Sequence, residues 1–409
     1  MSTLESGKYC IVRRRDMYRL MRMQSNTLFK MQKLCFYPDG AFGLPFGSTF
    51  EVSKKQLHHR SSTLEHELES FEASECGEDN RSIVDSCGAS QQLSQADVLG
   101  LKSGSVGDVS DSNTKAGGTA KELVNLLVEN SSTFKHKAAL TQDKYVRNKA
   151  RKHSDIIALT RPTLRRLARV YYEKDPERIG YLRRDQLSMI LSASNVQSGL
   201  RVLVLEDCVG LALSGLLERL GGKGECVHLH KGVQPQGIPA LDAMNFTDDH
   251  LSTYLPLSQQ EAFFGSPSSG NNSVSAPAET NGQPGADGER RVARFAPRVP
   301  QARESWSRGD FDAIILTGMS YANVDVLKRV LPKLLPSRPF VLHCMHIQPL
   351  TECYNWLKEE FSDAVNLTLY DSFLSMLQVL PNESSTCICI CCCIWIWRLL
   401  ETDKPSTPV

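Results

Sequence analysis

The residues best suited to chemistry lie in the tract 144–153, KYVRNKARKH, where Lys144, Arg147, Lys149, Arg151 and Lys152 place five formal positive charges around Tyr145 and ahead of His153. Cations at this density neutralise phosphates and release condensed counterions, and a tyrosine among them stacks on a base or hydrogen-bonds to the backbone. On a helix the five cations span more than one face, which suits a contact that wraps a nucleic-acid backbone better than a single flat patch. The competing use of the same residues is a solvated basic helix. A second cluster comprises Lys174, Asp175, Pro176, Arg178 and Tyr181, a proline-fixed turn that presents two cations and an aromatic ring. Asn80 and Arg81 make a third and weaker candidate, because one arginine in a turn is commonplace. Arg165, Arg166 and Arg169 alternate with Leu164, Leu167 and Val170 on an amphipathic helix and read as half structural.

The chain lacks the residues that a nucleotide cofactor needs. RVLVLE (201–206) and LALSGLLERL (211–220) make a strand, turn and helix, the arrangement that offers a nucleotide the C-terminal edge of the strand. The turn Glu206-Asp207-Cys208-Val209-Gly210 holds one glycine, whereas close approach of backbone to ligand calls for more. The following strand ends in His228-Leu229-His230-Lys231, without the acid that grips ribose hydroxyls. Gly210 therefore reads as a turn residue, and no cofactor-binding residue is assigned. FDAIIL (311–316) runs into Thr317-Gly318-Met319-Ser320, without the polar group that a base-modifying enzyme places there. Asp312 reads as a cap or surface residue. No His/Asp/Ser or Cys/His grouping has recognisable spacing and the cysteines lack metal-ligand spacing, so no catalytic or metal-binding residue is assigned.

The elements that must carry these residues follow from changes of pattern. Residues 1–62 show short β-rich runs, with Asp39-Gly40 as a hairpin signal and Gly43, Pro45 and Gly47 as punctuation, which predicts a small β-barrel-like domain. Residues 63–118 are acidic and then Gly/Ser-rich, a linker composition. Residues 119–198 read as a basic helical segment: 144–184 alone has thirteen Lys and Arg against four acids, in a chain whose totals are 47 and 46. Residues 199–381 alternate strands with helices, which predicts an α/β doubly wound parallel sheet with a disordered insertion at 265–305. The hydrophobic fraction of 41% over 409 residues excludes a wholly disordered chain, and the net charge of +1 excludes a global electrostatic signal for any partner. Arg13, Arg14 and Arg15 interrupt the first apolar stretch, which argues against secretion and predicts free thiols.

These pieces, in this order, resemble the non-catalytic, RNA-binding subunit family of the eukaryotic tRNA adenine-58 N1-methyltransferase. The resemblance rests on FYPDGAFGLPFGSTFEV (36–52), NRSIVD (80–85), ENSSTFKHKAALTQDKY (129–145), ARVYYEKDPERIGYL (168–182), LEDCVGLALSGLLERLGGKG (205–224) and SRPFVLHC (337–344), and runs from about Tyr9 to Pro381. It implies a Rossmann-like methyltransferase-type sheet whose own cofactor site has degenerated. It further implies a partnership with a paralogous catalytic subunit that carries S-adenosylmethionine, a heterotetramer of two heterodimers, tRNA as ligand, and the nucleus as location. Family members carry a run similar to Tyr172-Glu173-Lys174-Asp175 near bound RNA. The enzyme-class alternative is an active RNA methyltransferase with a divergent cofactor loop.

The residues at 382–409 depart from the family. Cys387, Cys389, Cys391, Cys392 and Cys393 crowd beside Ile and Trp in CICICCCIWIW, a β-prone segment of low charge and the kind that aggregates. The expectation is a chain that has lost its last sheet strands, is less soluble than one ending at Pro381, and assembles poorly. Against it stands the alternation of Ile388, Ile390, Ile394 and Ile396, which suits a replacement strand. The run is too short for the ~20 residues that span a bilayer, so no membrane partner is assigned.

Overall fold

A computed structural model describes residues 3–32, 34–60, 120–131, 134, 142, 145, 146, 148, 149, 155–232, 238–265, 295–361, 364–372, 374–379, 384–389 and 394–400. The chain divides into two units, Met1–Arg161 and Pro162–Val409.

The first unit is built on strands β1 (Tyr9–Arg14), β2 (Met17–Arg22), β3 (Phe29–Met31), β4 (Leu34–Phe36), β5 (Thr49–Ser53), β6 (Gln56–Arg60) and β7 (Ile156–Thr160). Five of them form an antiparallel sheet in the order β2-β1-β7-β5-β6, and β3 pairs with β4 in a separate ribbon. Alternation buries one face: Cys10, Val12, Met21, Phe50, Ile157 and Leu159 from the sheet share a core with Met31, Leu34 and Phe36 from the ribbon. The domain is thus an open antiparallel sheet with a ribbon packed on one face, not a closed barrel, because β2 and β6 remain unpaired with each other.

Two readings of this region need correction. Asp39-Gly40 does not turn a hairpin; it lies in the 3-10 turn Pro38–Ala41. A Cβ on Gly40 would stand 2.4 Å from the carbonyl oxygen of Leu57, so the glycine serves a close approach of two backbones. The β5–β6 hairpin turns instead on Lys54 and Lys55, both with positive φ. The structure also draws the domain boundary elsewhere than 62/63 and 118/119. Ile156–Thr160, counted with the basic segment, is the central strand of the first sheet, where its β-branched alternation fits between β1 and β5.

The second unit begins with helices Leu164–Lys174 and Arg184–Ala193, so residues 162–198 belong with the α/β sheet. Its strands are β8 (Arg201–Glu206), β9 (Glu225–His230), β10 (Tyr254–Ser258), β11 (Ala313–Thr317), β12 (Pro339–Cys344), β13 (Ala364–Asp371), β14 (Leu374–Val379), β15 (Ser384–Cys389) and β16 (Ile394–Leu400). Seven form one sheet in the order β10-β9-β8-β11-β12-β16-β13. The pairs from β10 to β12 are parallel, and β8, β11 and β12 are buried almost throughout, as helices on both faces require.

Here too the structure revises two expectations. The proposed insertion 265–305 is cut short, because Val299–Arg308 is a helix that buries Ala302, Ser305 and Trp306; residues 266–294 lie outside those described. The tail does not leave the sheet incomplete. β16 lies antiparallel between β12 and β13 and pairs with both, so the alternating Ile/Trp run is a strand of the sheet. β14 and β15 form a two-stranded ribbon between β13 and β16.

Candidate functional site

The described part of the basic tract sits in the first unit. Tyr145 packs against Phe134 with ring centroids 5.5 Å apart, and the Lys149 ammonium lies 5.1 Å from the Tyr145 ring. Val146 is buried with Val124 of the helix Ala120–Glu129, which anchors this stretch through an apolar contact. Lys144, Arg147, Arg151, Lys152 and His153, with Asn80 and Arg81, lie outside the described residues.

The second cluster is fully described and sits in the second unit. Lys174 closes the helix Leu164–Lys174, Asp175 is its C-cap, and the Asp175 carboxylate accepts from the Arg178 amide at 3.3 Å. The Tyr181 amide donates to the Pro176 carbonyl at 2.8 Å, which closes the turn with Tyr181 at φ 54°. Lys174, Asp175 and Arg178 are exposed, Pro176 and Tyr181 half-buried, and Ile179 is buried beneath them. One apolar anchor thus holds two cations and a ring at the surface of a single turn.

Not every cation of the basic stretch is free for a ligand. Arg169 pairs with Glu173 at 2.6 Å, and Arg183, 5% exposed, is tied to Asp185 at 2.9 Å and to the Ser372 carbonyl at 3.1 Å. Sequence reasoning did not single out Arg184, which with Arg165, Thr163, Asp185, Ser188 and Glu218 lines a cavity of about 530 Å³. The spacing of Arg165 and Arg184 in the chain gives no sign that they share a cavity.

The place where a doubly wound sheet holds a nucleotide is filled by the protein itself. Gly210, at φ 85°, is the N-cap of the helix Leu211–Leu220. A Cβ there would stand 3.1 Å from Cα of Ile238, and the Ala240 amide donates to the Val209 carbonyl at 3.1 Å. The segment that starts at Ile238 therefore packs on the turn after β8, where a cofactor would need room. At the end of β9, the Lys231 ammonium donates to both carboxylate oxygens of Asp207, at 3.1 and 3.3 Å, and lies 4.9 Å from the ring of Tyr321. The Tyr321 hydroxyl in turn accepts from the Gln259 amide at 2.9 Å. An ammonium has donors and no acceptor, so it cannot grip ribose hydroxyls as an acid would.

Glu206, at the end of β8, has turned inward. Its carboxylate accepts from the amides of Ala212 and Leu213 at 3.0 and 3.4 Å, and burial pushes its pKa up to about 7. His228 donates to or accepts from the Tyr254 hydroxyl at 3.1 Å, and burial holds its pKa down to about 3. One Glu206 oxygen serves the helix amides while the other, Oε1, is buried without a hydrogen-bond partner, and His228 is tied to Tyr254; with one glycine in the turn and Lys231 where an acid belongs, the residues do not fit a nucleotide cofactor. Asp312 serves structure as well, accepting from the Arg201 amide at 2.9 Å and pairing with Arg338. Among the described residues there is no group of His, Cys, Asp and Glu placed to hold a metal, and no helix long and apolar enough to cross a membrane.

The strand order, with β16 inserted antiparallel beside the edge strand β13, defines a Rossmann-like methyltransferase fold. A SAM-dependent O-methyltransferase from Thermotoga maritima shares it at TM-score 0.53 and 9% identity, covering 99% of this chain and 97% of that one. The chain belongs to the Gcd10p family, which matches residues 3–282. It is 29% identical over 437 residues to the tRNA (adenine(58)-N(1))-methyltransferase non-catalytic subunit TRM6 of Mus musculus, covering 93% of this chain and 84% of that protein. The proteins of the same name from Dictyostelium discoideum and Schizosaccharomyces pombe are 25% and 26% identical, covering 90% and 84% of this chain and 73% of each relative.

Proposed function

We propose that this chain is the non-catalytic, tRNA-binding and scaffolding subunit of an S-adenosylmethionine-dependent tRNA (adenine-58-N1)-methyltransferase. The observation that carries the reading is a methyltransferase sheet whose cofactor place is occupied by Ile238 against Gly210 and by the Asp207–Lys231 pair. A fold kept without its methyl-donor site is of use as a scaffold, and the family relatives bear the name of a non-catalytic subunit. S-adenosylmethionine then belongs on the paralogous catalytic partner, and the assembly is a heterotetramer of two heterodimers in the nucleus. The chain supplies phosphate-neutralising contacts through Lys144, Arg147, Lys149, Arg151 and Lys152, with Lys174, Arg178 and Tyr181 as a second contact. Co-expression with the catalytic partner, followed by native mass spectrometry and a tRNA methylation assay, tests this. The expected result is a tetrameric mass, with methylation only when both chains are present. Methylation by this chain alone would restore the active-enzyme alternative.

A further inference from the structure

The first unit carries a second cavity, of about 560 Å³, lined by Asn26, Tyr37, Asp39, Gly40, Gln56 and Leu57. Its walls are fixed by the backbone. The Tyr37 amide donates to the Lys55 carbonyl at 2.9 Å, which holds the tyrosine at the root of the β5–β6 turn, and the residue is left 37% exposed. Both carboxylate oxygens of Asp39 accept from the Asn26 backbone amide at 3.2 Å, which pins Asn26 at φ 55° beside Asp39. Gly40 lets the Pro38–Ala41 turn lie against the Leu57 carbonyl, and Leu57, 5% exposed, supplies an apolar floor. Lys54 and Lys55, which precede Gln56 in the chain, are exposed.

Resting on the reading of the chain as a tRNA-binding subunit, we infer that this cavity receives one unpaired nucleobase of the RNA, a base bearing an exocyclic amino group. The aromatic ring of Tyr37 offers a stacking face, and the side-chain amides of Asn26 and Gln56 each offer a donor and an acceptor in one plane, as a base edge requires. The Asp39 carboxylate only accepts, so it favours an amino group and repels a phosphate from the cavity itself. Phosphates on either side of the base then lie outside the cavity, and Lys54 and Lys55 neutralise them. Guanine fits best, because its adjacent N1–H and N2–H give one carboxylate two donors. Uracil, with no exocyclic amino group, fits worst.

The test is fluorescence anisotropy of the full chain with labelled heptaribonucleotides, all-uridine against the same strand with one central guanosine. The guanosine strand is expected to bind about tenfold more tightly, the size of one stacked and hydrogen-bonded base. Gln56→Ala, at an exposed position, should bring the two strands toward equal affinity, and Tyr37→Ala, which removes the stacking face, should weaken the guanosine strand more than the all-uridine strand. Equal affinity of the two strands for the wild-type chain, with tRNA still bound, overturns the base pocket alone. Failure to bind either strand or tRNA overturns this inference together with the RNA-binding reading beneath it. Substitutions that leave the guanosine preference intact but weaken capture of the catalytic partner would make the cavity a protein contact, and the inference would fall.

Discussion

Replacing Glu206 by Gln should change how stability depends on pH, and the size of the change follows from the burial of one carboxyl. Burial raises the Glu206 pKa from 4.5 to about 7, against the opposing pull of the Leu213 and Ala212 amides. The folded pKa therefore lies above the unfolded one, and the folded state holds an extra proton between them. The stability this provides is complete below pH 4.5 and is lost as pH rises through about 7. At about 1.4 kcal/mol per unit, the shift from 4.5 to about 7 amounts to on the order of 3 kcal/mol. Buried histidines act in the opposite sense. His228 and His343 are lowered from 6.5 to about 3 and about 4 by burial, so they cost stability as pH falls below 6.5. The wild-type curve mixes both effects, but the difference between wild type and Glu206→Gln isolates the carboxyl. Glutamine keeps an acceptor oxygen for the two helix amides and cannot ionise. Urea unfolding at several values from about pH 5 to about pH 8 should show the variant gaining on wild type by 2 to 3 kcal/mol, roughly, as pH rises. A difference that stays flat across the window refutes the argument that burial outweighs the helix amides.

Simultaneous replacement of Arg147, Lys149, Arg151 and Lys152 by Ala should weaken tRNA binding and flatten its salt dependence by roughly 0.7–0.9 of a log–log unit per lost phosphate contact, measured by filter binding over a salt series. An unchanged slope would show that these cations do not meet phosphates. Gly210→Ala forces a Cβ against Ile238 at a left-handed φ and should cost about 1–3 kcal/mol in thermal or urea unfolding. With the methyl donor on the partner, as proposed, methylation per assembled complex should stay at the wild-type level; selective loss of methyl transfer would contradict the proposal. Ending the chain at Pro381 removes β15 and β16 and strips β12 and β13 of their shared neighbour, so the shortened chain should have lower soluble yield and poorer partner capture. Equal yield and capture would show that the paired tail contributes nothing.

The α/β unit was legible because its strands are buried on both faces. RVLVLE and LALSGLLERL match β8 and its helix residue for residue, since a near-continuous apolar run and an amphipathic helix ending at Gly221 have few other solutions. The filled cofactor place was legible only as a lack, one glycine and Lys231 in place of an acid. That Ile238 covers Gly210 depends on a contact between residues 28 apart in sequence, which no local pattern carries. The strand Ile156–Thr160 was hidden by the charge around it, because counting cations over 144–184 says nothing of a five-residue alternation whose partners Ile11 and Phe50 lie far earlier in the chain. In the tail, composition pointed to aggregation and alternation to a strand, and the vacancy between β12 and β13 decides for the strand. Tyr37 and Asp39 fell within a stretch read for its turn chemistry, and Gln56 joins them only through the fold of the β5–β6 hairpin.

The central claim, that this chain keeps a methyltransferase fold without a methyl-donor site, is tested most directly by isothermal titration of S-adenosylmethionine into the isolated full chain and into its complex with the catalytic partner. The account predicts no heat of binding for the isolated chain and one site per heterodimer for the complex. Micromolar binding to the isolated chain, or two sites per heterodimer, would contradict it.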